Sequence, residues 1–337
     1  MTFPAMTPPD WLLAAWHQAR HAGASDLHLV SGQLPCMRVH GRLQTLALPP
    51  CPPPPWPYPD TGETRAACGP LSATGTNSAG EGCLDHPLLG RARWSLARQQ
   101  LGLMLVLRLL PSGPPTPGAV GLTDRLAALV EHDTGLILIS GATGSGKSST
   151  LAALALHWRQ RQRGHLLTLE DPVEFLHAPD PALGTVSQRE IGRDCASFAD
   201  GLRAALRQDP DAIVIGELRD ADTAALALAA ASTGHLVMAT VHAASAIATI
   251  DRLLGLLPAT AQSRAQLADA LTAVVSQQLL THGDERRPCR EVLIATPAVR
   301  RLIREHQLDQ LASVMQTGGA DGMQTRAQAL ARLSAGD

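Results

Sequence analysis

The chain has 337 residues, a formal net charge of −2 at pH 7 and 45% hydrophobic residues. This length allows two domains with separate cores, and the near-neutral charge lacks the basic excess of nucleic-acid binders, so no nucleic-acid partner is expected. The six cysteines form no C-x-x-C pair and no apolar run is long enough to span a bilayer, which together favour a cytoplasmic protein with free thiols.

The first third of the chain predicts a small mixed α+β domain. The amphipathic pattern of residues 10–21 predicts a helix, and the alternation over residues 25–30 predicts a half-buried strand. Residues 36–46 predict a hairpin, and residues 91–110 predict a second pair of strands. Between these pairs lies a Pro-rich insert, about residues 49–82, which is expected to be flexible or polyproline-like because proline has no N–H group for a sheet.

A Pro/Gly-rich stretch, residues 111–122, predicts a boundary between an N-terminal domain (1–112) and a larger domain (113–337). Beyond it, apolar strands alternate with helical patterns, which indicates βαβ units and a mostly parallel sheet with helices on both faces. The predicted strands are Leu136–Ser140, Leu166–Glu170, Ala212–Gly216 and Leu236–His242, and the predicted helices include Phe198–Arg207 and Ala221–Ser232. After Gln262 the pattern predicts a mainly helical chain.

The first strand of the larger domain leads through a glycine-rich loop into a helical pattern, with the spacing G-x-x-x-x-G-K-[ST]. Glycines let the backbone approach phosphates closely, so that successive N–H groups form an anion nest at the positive end of the helix. Lys147 is placed to bind the β- and γ-phosphates, and the Ser148 hydroxyl is placed to ligate Mg²⁺. The loop therefore predicts a nucleoside triphosphate with magnesium as ligand. Its predicted binding residues are Gly141, Ala142, Thr143, Gly144, Ser145, Gly146, Lys147, Ser148 and Ser149.

Three further segments end predicted strands, at the sheet edge where open α/β sheets bind ligands. Glu170 ends one strand, although an ordinary acidic turn has the same composition. Glu217 follows Gly216, which stands where many P-loop enzymes carry a magnesium-binding aspartate, so we interpret Glu217 as the group that orients or deprotonates the attacking water. His235 and His242 bracket a strand, where either a structural role or sensing of the γ-phosphate is open.

In this order, the segments resemble the type II/type IV secretion ATPases. The Walker A, Asp box, Walker B and His box of that family are similar to GATGSGKSST, TLEDPVEF, LRAALRQDPDAIVIGELRD and TGHLVMATVHAASAIATIDRLLGLLP. The resemblance implies a RecA-like P-loop NTPase domain, a smaller PAS-like α+β domain, and ATP hydrolysis with Mg²⁺ in a homohexameric ring. It also implies roles for six residues: the Walker A pair Lys147 and Ser148, the catalytic Glu217, the Asp-box Glu170, and the His-box pair His235 and His242.

The stretch PAVRRLIRE, residues 297–305, resembles a motif of the pilus-retraction branch of this family. That resemblance implies a motor at the cytoplasmic face of the inner membrane, which acts with a membrane platform protein to remove pilin subunits from a fibre. Arg93 and Arg108 match arginines that reach the phosphates from the N-terminal domain, with solvated strand-end charge as the alternative. Leu101 stands where the family has another arginine.

Two other functions remain open from the sequence. One is a related motor for pilus extension, type II secretion or competence, against which the stretch 297–305 and the absence of a four-cysteine zinc motif both argue. The other is an accessory ring subunit that binds nucleotide and hydrolyses it weakly, which the departures in the N-terminal domain favour.

Overall fold

The computed structural model describes residues 9–52, 80–86, 88–100, 102–111, 113–282 and 285–335. The chain divides into two compact units, Met1–Ser112 and Gly113–Asp337. Most of the predicted Pro-rich insert and Leu101 lie outside the described residues.

The first unit is an antiparallel sheet with one helix packed on it. Its elements are α1 (Asp10–His21), β1 (Asp26–Val30), β2 (Cys36–Val39), β3 (Arg42–Thr45), β4 (Gly80–His86), β5 (Gly90–Gln99) and β6 (Gly102–Leu109). The strand order is β3-β2-β1-β6-β5-β4. Trp16 of α1, Leu27 and Leu29 of β1 and Leu107 of β6 share one core, because the alternation of β1 places both of its leucines on the face that α1 covers. The predicted helix and hairpin are confirmed, whereas β4 was not predicted.

The second unit consists of one large sheet between two layers of helices. Its strands are β7 (Gly135–Ser140), β8 (His165–Glu170), β9 (Thr185–Glu190), β10 (Ala212–Ile215), β11 (Leu236–Val241), β12 (Leu271–His282) and β13 (Glu285–Ile294). Its helices are α2 (Asp124–Ala127), α3 (Lys147–Gln162), α4 (Phe198–Ala205), α5 (Ala221–Ser232), α6 (Ala246–Leu256), α7 (Ala261–Ala270), α8 (Pro297–Arg304), α9 (Leu311–Thr317) and α10 (Arg326–Ala335).

The sheet of the second unit has the order β13-β12-β7-β11-β10-β8-β9, and only the pairing of β12 with β13 is antiparallel. Strands β7, β10 and β11 are buried at every position, as expected for parallel strands covered on both faces. Alternate residues of β7 enter different cores: Leu136 and Leu138 on one face, and Ile137 and Ile139 with Trp158 of α3 on the other. The predicted α/β class with a parallel sheet is confirmed.

Because these strands run in parallel, the sheet has two distinct edges. We call the edge where β7, β8, β10 and β11 end the carboxyl edge, and the edge where they begin the amino edge. The carboxyl edge therefore gathers the segments that follow Ser140, Glu170, Ile215 and Val241, which contain most of the predicted site residues.

The prediction of a mainly helical chain after Gln262 is wrong for residues 271–294. These residues form β12 and β13, and β12 continues the sheet beside β7. Polar residues in the middle of β12 (Ser276, Gln277 and Gln278) interrupt the apolar pattern that would have indicated a buried strand. The helices predicted near the end of the chain are present as α8, α9 and α10. Within the described part of the chain, no helix is both long and apolar enough to cross a membrane.

Candidate active site

The loop from Gly141 to Gly146 joins β7 to α3 at the carboxyl edge, and its glycines are required by its shape. Gly141, Gly144 and Gly146 have φ values of 148°, 76° and 85°, in the region that favours glycine. A Cβ on Gly141 would lie 2.3 Å from the carbonyl oxygen of Gln277, so no larger residue fits there. The predicted loop residues are thus brought together in one tight turn.

The helix that follows this loop supplies a positive end to the site. No side chain caps the first turn of α3, whose N-cap residue is Gly146. The first N–H groups of a helix have no partner within it, and the dipole of a helix as long as α3 adds partial positive charge at the same place. Backbone N–H groups and the helix end therefore form a cradle suited to phosphate oxygens.

Lys147 is buried at the first position of α3. Its Nζ donates hydrogen bonds to the carbonyl oxygens of Gly141 at 3.0 Å and Ala142 at 2.9 Å. Burial lowers the pKa of Lys147, and the negative charges of Glu217 and Glu174 oppose that shift. The loop and Glu217 lie at the same edge of the sheet, because β7 and β10 both end there. Lys147 is also the only lysine in the sequence.

Glu217 follows β10 and is held by two basic side chains. Its Oε2 accepts a hydrogen bond from Nε of Arg219 at 2.7 Å, and its Oε1 lies 3.4 Å from Nε2 of His242. Arg219 also lies 3.4 Å from Asp171, and its bond to Glu217 raises the pKa of its guanidinium. The Glu217 side chain is only 16% exposed, so these contacts fix a carboxylate at the rim of the site.

Arg219 is a member of this group that the sequence reasoning missed. Its position two residues after Glu217, past the end of a buried strand, was the available signal. The structure thus brings Glu217 and His242 together and adds an arginine between Glu217 and Asp171.

Glu170 ends β8 at the same edge but lies in a separate hydrogen-bond network. Its Oε1 accepts from Oγ1 of Thr168 at 2.7 Å and from Nε2 of Gln188 at 3.1 Å. Burial raises the pKa of Glu170, against the opposing effect of these two bonds. The carboxyl group is therefore positioned by its own strand and by β9.

His235 is not beside His242. It precedes β11 at the amino edge, where its Nδ1 lies 3.1 Å from the carbonyl oxygen of Ala230 and its own carbonyl accepts from Gly135. Seven residue steps lead from His235 to His242 along an extended strand, which separates the two histidines by about 23 Å. The structure thus places the two histidines at opposite sheet edges, and a role for His235 in sensing the γ-phosphate or coupling it to motion stays a prediction.

Arg93 and Arg108 belong to the first unit, where they are direct cross-strand partners on β5 and β6. Arg108 is 69% exposed at its side chain and forms an ion pair with Asp26 at 3.2 Å. The two arginines thus occupy one register position of the antiparallel sheet. Their action on a phosphate stays a prediction.

The donors at the carboxyl edge fit a magnesium ion that is bound chiefly through phosphate. Mg²⁺ prefers oxygen ligands and usually takes one or two from the protein, with phosphates and water supplying the rest. Ser148 offers an exposed hydroxyl in the first turn of α3. In the part of the chain that the structure describes, no cluster of three or more His, Cys, Asp or Glu side chains could hold a metal alone.

The comparisons with known proteins agree with this geometry. Residues 117–332 match the model of the family described as type II/IV secretion system protein. The chain is 40% identical to the type IV pilus retraction ATPase PilT of Pseudomonas aeruginosa, over 90% of this chain and 88% of that protein. It is 44% identical to a twitching motility protein of Neisseria gonorrhoeae, over 74% of this chain and 67% of the relative. The crystal structure of the pilus retraction motor PilT with bound ADP is similar, with a TM-score of 0.82, 35% identity, and coverage of 96% and 92% of the two chains.

Proposed function

Since this chain belongs to the type II/IV secretion system protein family, we propose that it is the ATPase motor that retracts a type IV pilus. The family consists of ATPases, and the chain is an ATP-binding hydrolase of this kind. Similarity to PilT along nearly the whole chain supports retraction as the task. The observation that carries the chemistry is the Glu217 carboxylate, which is fixed beside His242 and Arg219 at the same sheet edge as Lys147.

The proposed reaction is attack of water on the γ-phosphorus of ATP, with release of ADP and phosphate. Lys147 exchanges its two backbone carbonyls for phosphate oxygens, and the N–H groups of the loop and of α3 stabilise the charge that develops there. Glu217 orients the water and accepts its proton. His242 and Arg219 hold this carboxylate in place. Magnesium, when bound through Ser148, neutralises charge on the phosphates.

We propose that the active form is a homohexamer that works at the cytoplasmic face of the inner membrane with a platform protein of the pilus machine. Similarity to a retraction motor supports this assembly. In it, Arg93 and Arg108 complete the site from the first unit. Two adjacent guanidinium groups neutralise transition-state charge, an effect worth about 10³-fold or more where such arginines have been measured.

The second candidate is a motor of pilus extension, type II secretion or competence. In its support, 57% of this chain is 38% identical to a type II secretion system protein E of Klebsiella pneumoniae. Loss of the gene in a piliated host distinguishes the two. Retraction predicts excess surface pili that wild-type protein corrects and Glu217→Gln does not. Cells without pili would instead support extension.

An accessory subunit with weak turnover is distinguished by phosphate release from the purified protein. A hydrolytic motor releases phosphate much faster than the Glu217→Gln variant. Equal rates for wild-type and Glu217→Gln protein would contradict the assigned role of Glu217 and favour the accessory subunit.

A further inference from the structure

A buried amide on β12 contacts the phosphate-binding loop through a hydrogen bond to its backbone. Gln277 is 2% exposed, and its Nε2 donates to the carbonyl oxygen of Ser145 at 2.7 Å. Its Oε1 accepts from Oγ1 of Thr150, in the second turn of α3, at 2.8 Å. Gln277 therefore holds the loop and the helix that follows it at once.

The orientation of this amide is fixed by its partners. Its Oε1 faces two donors, the Thr150 hydroxyl and Nε of Arg290 at 3.4 Å, whereas its Nε2 faces a carbonyl oxygen. A flipped amide would place two acceptors together at Ser145, so only one orientation satisfies every group. The amide also limits space, because a Cβ on Gly146 would lie 3.1 Å from Nε2 of Gln277.

Arg290 extends these contacts to the start of the second unit. It is the cross-strand partner of Gln277 on β13 and is 6% exposed. Its guanidinium donates to the carbonyl oxygens of Val120 and Gly121. Both residues lie in the Pro/Gly-rich stretch 111–122, which leads from the first unit into the second. Burial lowers the pKa of Arg290 to about 10, so the group remains charged at neutral pH.

We propose that Gln277 is a positioning residue for the nucleotide, and that Gln277 and Arg290 form a bridge that couples the phosphate-binding loop to the stretch 111–122. The bridge consists of Ser145, Thr150, Gln277, Arg290 and the carbonyls of Val120 and Gly121. A nucleotide draws Lys147 off its two carbonyls and rearranges the loop. Ser145, Thr150, Gln277 and Arg290 are buried, and each polar atom of the Gln277 amide has a partner. A rearrangement of the loop therefore shifts Arg290 and, through its hydrogen bonds, the stretch 111–122.

The bridge rests on the proposed function in one respect, since it requires that this loop binds nucleotide. Two measurements test the bridge. The first is the affinity for ADP, measured by titration. The second is backbone hydrogen exchange over residues 118–122, measured with and without ADP. In the wild-type protein ADP is expected to slow exchange in this segment. Gln278, an exposed neighbour on the same strand, provides the matched control.

Gln277→Glu keeps an acceptor for Thr150 and Arg290 but replaces the donor to Ser145 with a carboxylate oxygen. We expect ADP affinity to fall about tenfold, because a buried carbonyl loses its partner. Arg290→Lys has the complementary effect, because an ammonium group cannot bind the two carbonyl oxygens and the Gln277 amide at once. We expect ADP affinity to stay within about twofold of the wild type. The ADP-dependent protection from hydrogen exchange at residues 118–122 is expected to be lost. Gln278→Glu is expected to match wild type in both measurements.

Thermal unfolding of each variant separates positioning from general destabilisation. Unchanged ADP affinity in a folded Gln277→Glu protein, or unchanged ADP-dependent protection in Arg290→Lys, would overturn the bridge alone. If Gln277→Glu does not fold, Arg290→Lys carries the test by itself. Failure of the wild-type protein to bind ADP would instead overturn the proposed function.

Discussion

The two edges of the large sheet carry similar residues and differ in what surrounds them. At the carboxyl edge, His242 and Arg219 converge on Glu217 beside a glycine-rich loop and a helix start. At the amino edge, His235 contacts a backbone carbonyl of its own preceding helix, and Asp269 pairs with Arg304 on the surface.

The difference shows that residue type alone does not define the site. Backbone N–H groups gather where β7 turns into α3, and the parallel strands deliver the acid and the histidine to that same edge.

Glu217→Gln is expected to lower the rate of ATP hydrolysis by about 10²-fold or more, because the amide cannot accept a proton from water. ADP affinity should change little, since the variant keeps the loop and Lys147 intact. The control at the amino edge is Asp269→Asn, which neutralises an exposed acid. Phosphate release measured for both variants checks this, and a comparable loss in Asp269→Asn would remove the distinction between the edges.

His242→Ala and His235→Ala compare two histidines separated by one strand. Loss of His242 removes a partner 3.4 Å from Glu217, and we expect roughly a tenfold fall in kcat. His235→Ala should change kcat less than about twofold, because its ring contacts only local backbone. A larger fall in kcat for a His235→Ala protein whose unfolding midpoint equals that of the wild type would show that the amino edge contributes to the reaction.

Arg219→Ala should lower kcat by about three- to tenfold and leave KM nearly unchanged, because it frees the Glu217 carboxylate without touching the phosphate cradle. A mainly KM effect would mean that Arg219 binds nucleotide directly. Arg161→Ala is the control, since Arg161 forms an ion pair with Glu131 near the end of α3 that lies away from the carboxyl edge.

His177 lies in the segment that follows β8 at the carboxyl edge, and its surroundings predict that the protein loses stability in acid. Its ring is buried and its pKa is lowered from 6.5 to about 4 by burial and by Arg159. Between these two pH values, His177 is protonated in the unfolded chain but neutral in the folded protein. The free energy of unfolding therefore has its full value above pH 6.5 and decreases as the pH falls. The loss by pH 5 is about 2 kcal/mol.

Unfolding midpoints at pH 7.5 and pH 5 check this expectation. The His177→Gln variant should be less sensitive to pH than the wild type, and His132→Gln, which changes an exposed histidine before β7, should keep the wild-type dependence. Equal pH dependence in His177→Gln and wild-type protein would contradict the assignment.

Elements with a strong local signal could be predicted from the sequence. Helix α5 has its predicted bounds, because Asp220 accepts a hydrogen bond from the Thr223 N–H group at its start and small apolar residues fill its buried face. Strands β9 and β12 were missed, since both are polar at several positions and are fixed by pairing with β8 and β7. Such pairing is a long-range property.

The same distinction between local and long-range signals applies to the candidate active site. The loop from Gly141 to Lys147 is a local motif, so spacing alone predicted its turn and the helix after it. Gln277 lies 132 residues from Ser145, and no local pattern indicates their hydrogen bond. His235 and His242 bracket β11 as the sequence indicates, and the extended strand places them at opposite edges of the sheet.

The central claim is that a nucleoside triphosphate binds around Lys147, and a lysine-selective acylating reagent tests it directly. Because Lys147 is the only lysine in the sequence, the other amine in the protein is its α-amino group, which serves as an internal control. Burial lowers the pKa of Lys147 and so favours its reactive neutral form.

Peptide mass spectrometry then measures acylation of both amines over time, with and without a non-hydrolysable ATP analogue and Mg²⁺. We predict that the analogue slows acylation of Lys147 by about tenfold or more, because a bound phosphate contacts the ammonium group and blocks the reagent. Acylation of the α-amino group should be unaffected. Equal acylation of Lys147 in both conditions, with folded protein and saturating analogue, would contradict the account.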